Sequence, residues 1–254
     1  MRLFRAFGLP LLAAAFALAA ACAPQAPPEK APVDPIRAGL LLFHDPGLSG
    51  SGEVACATCH PRGGHTNNKT YVGLELVEDG DERGRSTPLL WGLADTAPYS
   101  WGGGKTLRDN IRGIIVGRMK GAEPTEEQLD NLIAYLNSLE FPDNPNLNAD
   151  GSPSDAAPEA AKRGYRVFFK ASCNACHVPP TFAKRENEDI GSGGPFNVPS
   201  LRGVSTTAPY FHDGRYPNLR SLLPAKLEYL KDLGSTETFS DEEIEDLLAF
   251  LSVL

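Results

Sequence analysis

The pentapeptide Cys56-Ala57-Thr58-Cys59-His60 recurs in this chain of 254 residues as Cys173-Asn174-Ala175-Cys176-His177. The pattern C-x-x-C-H is the attachment signature of c-type haem. Its two thiols add to the vinyl groups of the haem, and the adjacent His ligates the iron. We therefore expect two covalently bound haem c groups. Their thioether bonds and proximal iron ligands would come from Cys56, Cys59, His60, Cys173, Cys176 and His177.

Two other kinds of site also use C-x-x-C. A zinc ribbon places its two knuckles about 15–20 residues apart, whereas Cys56 and Cys173 are 117 positions apart. A thioredoxin-like dithiol lies in a βαβ setting, and no alternating strand pattern surrounds either pentapeptide. Because neither chemistry requires a His after both motifs, the haem interpretation is favoured.

The N-terminus reads as an export signal. In residues 1–21, Arg2 and Arg5 precede an apolar run that ends in small residues, which is the order of a signal peptide. The run is too short for a comfortable membrane span. Cleavage before Cys22 would leave an N-terminal Cys for lipid attachment, with simple secretion as the alternative. We expect an exported periplasmic or cell-envelope protein, anchored by lipid at Cys22 and spaced from the membrane by the Pro-rich tether 22–35.

The net charge of the chain limits the kinds of partner that it can bind. The formal net charge is −8 at pH 7, and an acidic surface argues against nucleic acid as a partner. The same charge permits docking of a basic redox protein.

The body of the chain reads as an internal duplication. Thr96-Ala97-Pro98-Tyr99 recurs as Thr207-Ala208-Pro209-Tyr210, which lies 111 positions later. Each half closes with a capping box, one starting at Thr125 and the other at Ser240. An apolar stripe with helical spacing follows each box, which predicts a terminal helix buried on one face.

Each half therefore has a leading helix, a haem motif, a loop-rich middle and a terminal amphipathic helix, which is the order of class I cytochrome c domains. The leading helices are expected at Ile36–Phe43 and Ala160–Lys170. The expected fold class is all-α, with two tandem, loop-rich class I cytochrome c-like domains that each carry one covalent haem c. The expected divisions are a signal peptide at 1–21, a tether at 22–35, an N-terminal cytochrome c domain at 36–142, a linker at 143–157 and a C-terminal cytochrome c domain at 158–254.

The order of motifs resembles the bacterial dihaem cytochrome c peroxidase family, which includes the MauG-type enzymes. The strings that carry the resemblance are Leu42–Ser49, Val198–Val204 and Thr207–Gly214. The resemblance covers most of residues 36–254. It implies that the N-terminal haem meets hydrogen peroxide. It also implies that the C-terminal haem relays electrons from a small redox protein, either a cytochrome c or a cupredoxin.

The resemblance also assigns a Trp between the haems, in a Trp-Asp-Gly-Arg context. Trp101 occupies that place and is the candidate inter-haem electron route, with simple packing at the domain interface as the other interpretation. The distal His of the family is absent, because Val72-Gly73-Leu74 stands where Ile-Gly-His is expected. The catalytic Glu of the family falls near Lys120, and Glu123 is displaced from it.

Calcium is doubtful. The calcium site of the family uses an Asn in an Arg-Asn-(Ser/Thr)-Pro string and carbonyl groups from a Thr-x-Pro string. Here the Asn is replaced by Ser86, although Thr207 and Pro209 remain.

Candidates for the sixth iron ligands differ between the two haems. In the family, the sixth ligand of the second haem lies fourteen residues after the His of Phe-His-Asp-Gly, which leads from His212 to Lys226. Tyr229 lies one helical turn later on the same face. Both are candidates, and a solvent-directed Lys with a packed Tyr is the alternative.

At the first haem, Met119 lies six residues before the helix cap, where a simple cytochrome c domain places its axial ligand. It could equally fill space in the core. His65, five residues after the first haem motif, is the other distal candidate, since His can both ligate a metal and carry a proton near neutral pH. A surface loop position is the ordinary alternative for His65.

Three functions are compatible with these residues. The leading hypothesis is a peroxidase-like oxidoreductase that reduces hydrogen peroxide with electrons relayed from the C-terminal to the N-terminal haem. The second is a non-catalytic dihaem electron-transfer protein of the cell envelope, with Met119 closing the first haem. The third is a MauG-like oxidase that acts on a protein partner. The site rather than the fold decides among them.

Overall fold

The computed structural model describes residues 34–254. The expected signal peptide, Cys22 and the tether as far as residue 33 lie outside the described residues. Within the described part, no helix has both the length and the apolar character needed to cross a membrane.

The helices account for most of the regular structure. The first one begins at Pro35. Proline suits this position because the N–H of a first helical residue has no partner within the helix. The Asp34 carboxylate accepts a hydrogen bond from the Ile36 N–H. A π-helical segment at Gly113–Arg118 continues the fourth helix. The α-helices are α1 (Pro35–Phe43), α2 (Cys56–Cys59), α3 (Pro61–Gly64), α4 (Leu107–Arg112), α5 (Glu126–Asn137), α6 (Glu159–Lys170), α7 (Leu219–Asp232) and α8 (Asp241–Val253).

The terminal helices α5 and α8 begin at the two capping boxes. The Thr125 hydroxyl accepts from the Gln128 N–H, and the Gln128 side chain accepts from the Thr125 N–H. Ser240 and Glu243 make the same pair of bonds. These bonds satisfy two N–H groups that a helix start would otherwise leave unpaired. The predicted terminal helices are confirmed, and so are the leading helices α1 and α6.

The first helix of each half crosses the last helix of that half at a glycine. A Cβ on Gly39 would lie 1.9 Å from the Asn131 carbonyl oxygen of α5 and 2.6 Å from Cβ of Tyr135. A Cβ on Gly164 would lie 1.8 Å from the Asp246 carbonyl oxygen of α8. The helix backbones approach this closely because no side chain separates them, so the two crossings depend on glycine.

The middle of each half repeats in its backbone as well. Gly92 and Gly203 are 111 positions apart, and both adopt a left-handed conformation that suits glycine. The Gly92 N–H donates to the Leu139 carbonyl at 2.6 Å, just after α5. The Gly203 N–H donates to the Leu254 carbonyl at 2.9 Å, just after α8. Each loop is thereby attached to the end of the terminal helix of its own half.

The apolar side chains form two cores. The first is built by α1, α4, the π-helical segment and α5, and the second by α6, α7 and α8. Residues 143–157 contain no helix or strand, although Leu147 packs against the second core. The exact domain and linker boundaries stay a prediction. The most buried large side chains of the two cores are Phe43, Ile115, Leu129, Leu132, Phe168, Phe182, Leu247 and Phe250.

The all-α expectation is not confirmed, because the described residues contain two small antiparallel sheets. In the first, β1 (Thr70–Val72) lies between β2 (Glu75–Val77) and β3 (Arg85–Ser86). In the second, β4 (Lys184–Asp189) pairs with β5 (Pro195–Val198) across an irregular register. These strands are too short for an alternating pattern to be recognised among turn-forming residues.

The register of the first sheet places Ser86 next to the second half. Thr70 on the central strand pairs with Val77 on one side and with Ser86 on the other. The Thr70 hydroxyl donates to the Asp79 carboxylate at 2.7 Å, which fixes the loop after β2. The Ser86 N–H then donates to the His212 carbonyl of the second half at 2.7 Å.

We expect the Gly164→Ala variant to lose about 1–3 kcal/mol of unfolding free energy, since overpacking of a close contact costs this much. The added methyl would meet the backbone of α8 and force the helices apart. The measurement is guanidinium unfolding followed by circular dichroism. Gly102→Ala is the matched control, because a Cβ there meets nothing within 4 Å. Equal stabilities of the two variants would contradict the prediction.

Candidate haem sites and the junction between them

Both C-x-x-C-H motifs form a single helical turn. The first lies on α2, and the His60 N–H donates to the Cys56 carbonyl at 3.0 Å. The second lies on a 3₁₀ turn, and the His177 N–H donates to the Cys173 carbonyl at 2.9 Å. The turn carries the chain from the first cysteine to the histidine at i+4, which places the two on the same side.

The His177 ring has the tautomer of an iron ligand. Its Nδ1 lies 3.0 Å from the Phe182 carbonyl oxygen, so the ring N–H is at Nδ1 and the lone pair is at Nε2. Burial lowers the pKa of His177 to about 4, with hydrogen bonds to the Phe182 and Pro199 backbones opposing this effect in part. A neutral ring that is oriented by a backbone carbonyl is the form in which His ligates a metal.

The His60 ring lies in a similar setting. Burial lowers the pKa of His60 to about 4, and hydrogen bonding to the Pro88 backbone opposes this effect in part. Pro88 and Pro199 are 111 positions apart, so the duplication places a proline backbone beside the His of each motif. Nδ1 of His60 is buried without a hydrogen bond of good geometry. It is therefore a buried polar atom that still needs a partner.

The four cysteines of the motifs form no disulfide bond within the described residues. Burial raises the pKa of Cys56 to about 11 and that of Cys173 to about 12, so both are neutral at physiological pH. Cys56 packs against the first core and Cys173 against the second. Two neutral thiols and a neutral His on one turn fit covalent haem c in each half. The motif cysteines would hold it, with His60 and His177 on the iron.

The two candidates for the sixth ligand of the second haem differ in their hydrogen bonds. The Tyr229 hydroxyl donates to the Asp189 carbonyl at 3.0 Å. Lys226 Nζ makes no ion pair within the described residues and lies 4.1 Å from the centroid of the Phe211 ring. Burial lowers the pKa of Lys226 to about 8, and the charge of Arg215 lowers it further. The Tyr229 hydroxyl is thus already hydrogen-bonded, whereas the Lys226 amine has no ion-pair partner among the described residues.

Met119 is buried in the first core, with 4% of its surface exposed, in the same cluster as Cys56. Its backbone is fixed at the end of the π-helical segment, since the Met119 N–H donates to the Ile114 carbonyl and the Gly50 N–H donates to the Met119 carbonyl. This position is compatible both with a ligand and with a packed side chain.

The polar candidates near the first haem have other partners. Both ring nitrogens of His65 are hydrogen-bonded, Nδ1 to the Thr66 carbonyl at 2.8 Å and Nε2 to the Thr206 hydroxyl at 3.0 Å. These bonds weigh against His65 as a free distal base. Glu123 forms an ion pair with Arg112 at 2.6 Å and is mostly exposed.

Trp101 is held from both halves of the chain. Its indole N–H donates to the Ser86 carbonyl at 2.8 Å, and its own carbonyl accepts from the Asn197 N–H at 2.9 Å. The centroid of its ring lies 6.4 Å from that of His212 in an edge-to-face arrangement. His212 in turn stacks on Phe196 at 4.0 Å. The structure therefore places the candidate electron route at a polar and aromatic junction between the halves.

Sequence reasoning missed Phe196 and Asn197 as parts of this junction. Both lie on β5, a strand of four residues. The pairing of β5 with β4 is what turns Asn197 toward Trp101, and no periodicity in so short a strand could have revealed it.

Comparisons with known proteins agree with these motifs. A family model described as di-haem cytochrome c peroxidase matches residues 34–145. The chain is 25% identical to the cytochrome c peroxidase Ccp of Escherichia coli over 89% of its own length, and the match spans 60% of that protein. It is 29% identical to the methylamine utilization protein MauG of Methylorubrum extorquens, covering 89% of this chain and 80% of that protein.

A solved structure of hydrazine synthase from Kuenenia stuttgartiensis shares the fold. It has a TM-score of 0.69 and 22% identity, covering 97% of this chain and 100% of that chain. The resemblance expected from the sequence is thus confirmed: the chain is similar to bacterial dihaem cytochrome c peroxidases and to MauG proteins.

Proposed function

We propose that this protein is a dihaem c-type oxidoreductase of the peroxidase kind, in which electrons pass between the two halves through the Trp101 junction. The observation that carries the proposal is that Trp101 is hydrogen-bonded by Ser86 of the first half and by Asn197 of the second. The relatives named cytochrome c peroxidase support it.

The overall reaction takes two electrons and two protons to convert one hydrogen peroxide into two waters. Haem c, when bound, would supply iron that exchanges electrons and reacts with peroxide. The residues of this chain hold and orient that chemistry. His60 and His177 are the proximal ligands, and the carbonyl of Phe182 holds the His177 ring in its ligating tautomer.

The electron donor in this proposal is a small exported redox protein, a cytochrome c or a cupredoxin. Export is supported by the signal-like residues 1–21. Lipid attachment at Cys22 would hold the protein at the membrane, and the Pro-rich tether would give it reach.

A specific observation favours the electron-carrier alternative. Met119 is buried in the cluster that contains Cys56, so ligation by its thioether would close the first haem to peroxide. The hydrogen bonds of His65 and the ion pair of Glu123 also leave neither of these candidates free as a distal base. The peroxidase proposal therefore requires an open first haem, which is a measurable property.

The deciding measurement is the low-temperature EPR spectrum of the half-reduced protein before and after hydrogen peroxide is added. We expect a high-spin ferric signal that disappears with peroxide, and the Met119→Ala variant should give the same spectrum as the parent. Ile115→Ala, a truncation of a comparably buried residue in the same core, is the control for general loosening. A spectrum with only low-spin ferric signal that ignores peroxide would instead identify an electron carrier. A new high-spin signal confined to Met119→Ala would then identify Met119 as the ligand.

We further propose that Lys226, rather than Tyr229, is the sixth ligand of the second haem. The Lys226 amine lies in a partly buried position without a carboxylate partner in the described chain, whereas the Tyr229 hydroxyl is already bonded to Asp189. Nitrogen ligation would give a low-spin iron of lower potential than Met ligation gives.

The test compares Lys226→Arg with Tyr229→Phe. Arg keeps a positive charge but does not deprotonate in proteins, so Lys226→Arg should lose the low-spin signal of the second haem. Tyr229→Phe should retain that signal, because only the bond to Asp189 is lost. EPR and near-infrared magnetic circular dichroism measure both. The reverse pattern would assign Tyr229, and no change in either variant would exclude both residues.

A further inference from the structure

Ser86 uses all three of its polar groups to join Trp101 to the second half. Its carbonyl accepts from the Trp101 indole at 2.8 Å. Its N–H donates to the His212 carbonyl at 2.7 Å, and its hydroxyl donates to the Phe211 carbonyl at 2.7 Å. Only 5% of the Ser86 surface is exposed, so these three bonds are shielded from competition with water.

The side chains around this junction do not fit a calcium ion. Calcium takes six to eight oxygen ligands from carboxylates, backbone or amide carbonyl groups and water. The Ser86 hydroxyl already donates a hydrogen bond to the Phe211 carbonyl. The buried Asp213 carboxylate is paired with Arg215, whose Nε lies 2.7 Å from it. Burial would raise the pKa of Asp213, but the hydrogen bonds from Arg215 outweigh this effect and lower it.

Two cationic side chains also lie close to this junction. The guanidinium groups of Arg85 and Arg215 both lower the pKa of His212, although burial is the larger cause. Arg85 lies 5.5 Å from the centroid of the Phe196 ring, which stacks on His212. Two cations therefore flank the segment beside Ser86, and the carboxylate of Asp213 is neutralised by one of them.

We propose that the Ser86 hydroxyl takes the structural place that the family resemblance assigns to calcium, so that the Trp101 junction assembles without a metal ion. The role of Ser86 as a positioning residue depends on the proposed function in one respect, which is that Trp101 is taken to be an electron route. The bond from Ser86 to Phe211 draws the end of β3 against the second half. The carbonyl of the same residue then holds the indole beside His212.

The first test measures metal dependence of the holoprotein. We expect the thermal unfolding midpoint to be the same in EGTA and in millimolar CaCl₂, and the purified protein to contain less than one calcium per chain by elemental analysis. A midpoint that falls in EGTA and is restored by calcium, or one calcium per chain, would overturn the proposal.

The second test compares Ser86→Ala with Thr87→Val. Thr87 is the matched control, because its hydroxyl donates to the Lys69 carbonyl at 3.1 Å within the first half. Ser86→Ala removes the shorter of two hydrogen bonds to the Phe211 carbonyl and leaves the one from the Gly214 N–H at 3.2 Å. We expect its midpoint to fall by about 2–6 °C, and by more than that of Thr87→Val. Equal midpoints would contradict the role of Ser86.

The electron route is tested separately by pulse radiolysis, which follows electron redistribution between the haems. We expect Ser86→Ala to slow this redistribution while Thr87→Val leaves it unchanged. A slower rate in both variants, or in neither, would contradict a positioning role for Ser86. If the parent protein shows no redistribution at all, the proposed function fails, while the metal and stability measurements still decide the structural role of Ser86.

Discussion

The close crossing of the first and last helices in each half is the constraint on which the rest of the structure depends. At Gly39 and Gly164 the backbones come so near that a single methyl group would meet a carbonyl oxygen of the facing helix. This contact brings together the ends of a segment of about 100 residues whose middle is largely loop. The haem motif and the left-handed turn at Gly92 or Gly203 are then fixed relative to the terminal helix.

The two halves meet through polar bonds rather than through a shared core. His65 and Asn68 of the first half bind the hydroxyl and the carbonyl of Thr206, and Ser86 binds the Phe211–His212 backbone. Buried polar bonds specify one relative arrangement, because each unpaired group would cost about 1–3 kcal/mol. Trp101 is hydrogen-bonded to Ser86, one of these residues. The same interactions that fix the interface therefore also fix the distance over which electrons would pass.

The surroundings of the two C-x-x-C-H motifs differ in ways that would matter for function. The second has an amine, that of Lys226, in a partly buried position close to aromatic rings. The first has a buried thioether, that of Met119, and no uncommitted carboxylate or imidazole among the candidates named from the sequence. Whether the protein reduces peroxide or only passes electrons depends on the coordination of the first haem, since fold alone does not decide chemistry.

The sequence by itself determined the haem motifs, the duplication and the four framing helices, because each depends on spacing within a few residues. The capping boxes at Thr125 and Ser240 show this most directly. Only the tertiary structure decided the two small sheets, the partners of His65 and the triple bonding of Ser86. The bond between His65 and Thr206 and the bond between Ser86 and Phe211 join residues more than a hundred positions apart. The local sequence pattern does not show which distant carbonyl a hydroxyl will bind. The partner depends on how the packed helices bring the loops together.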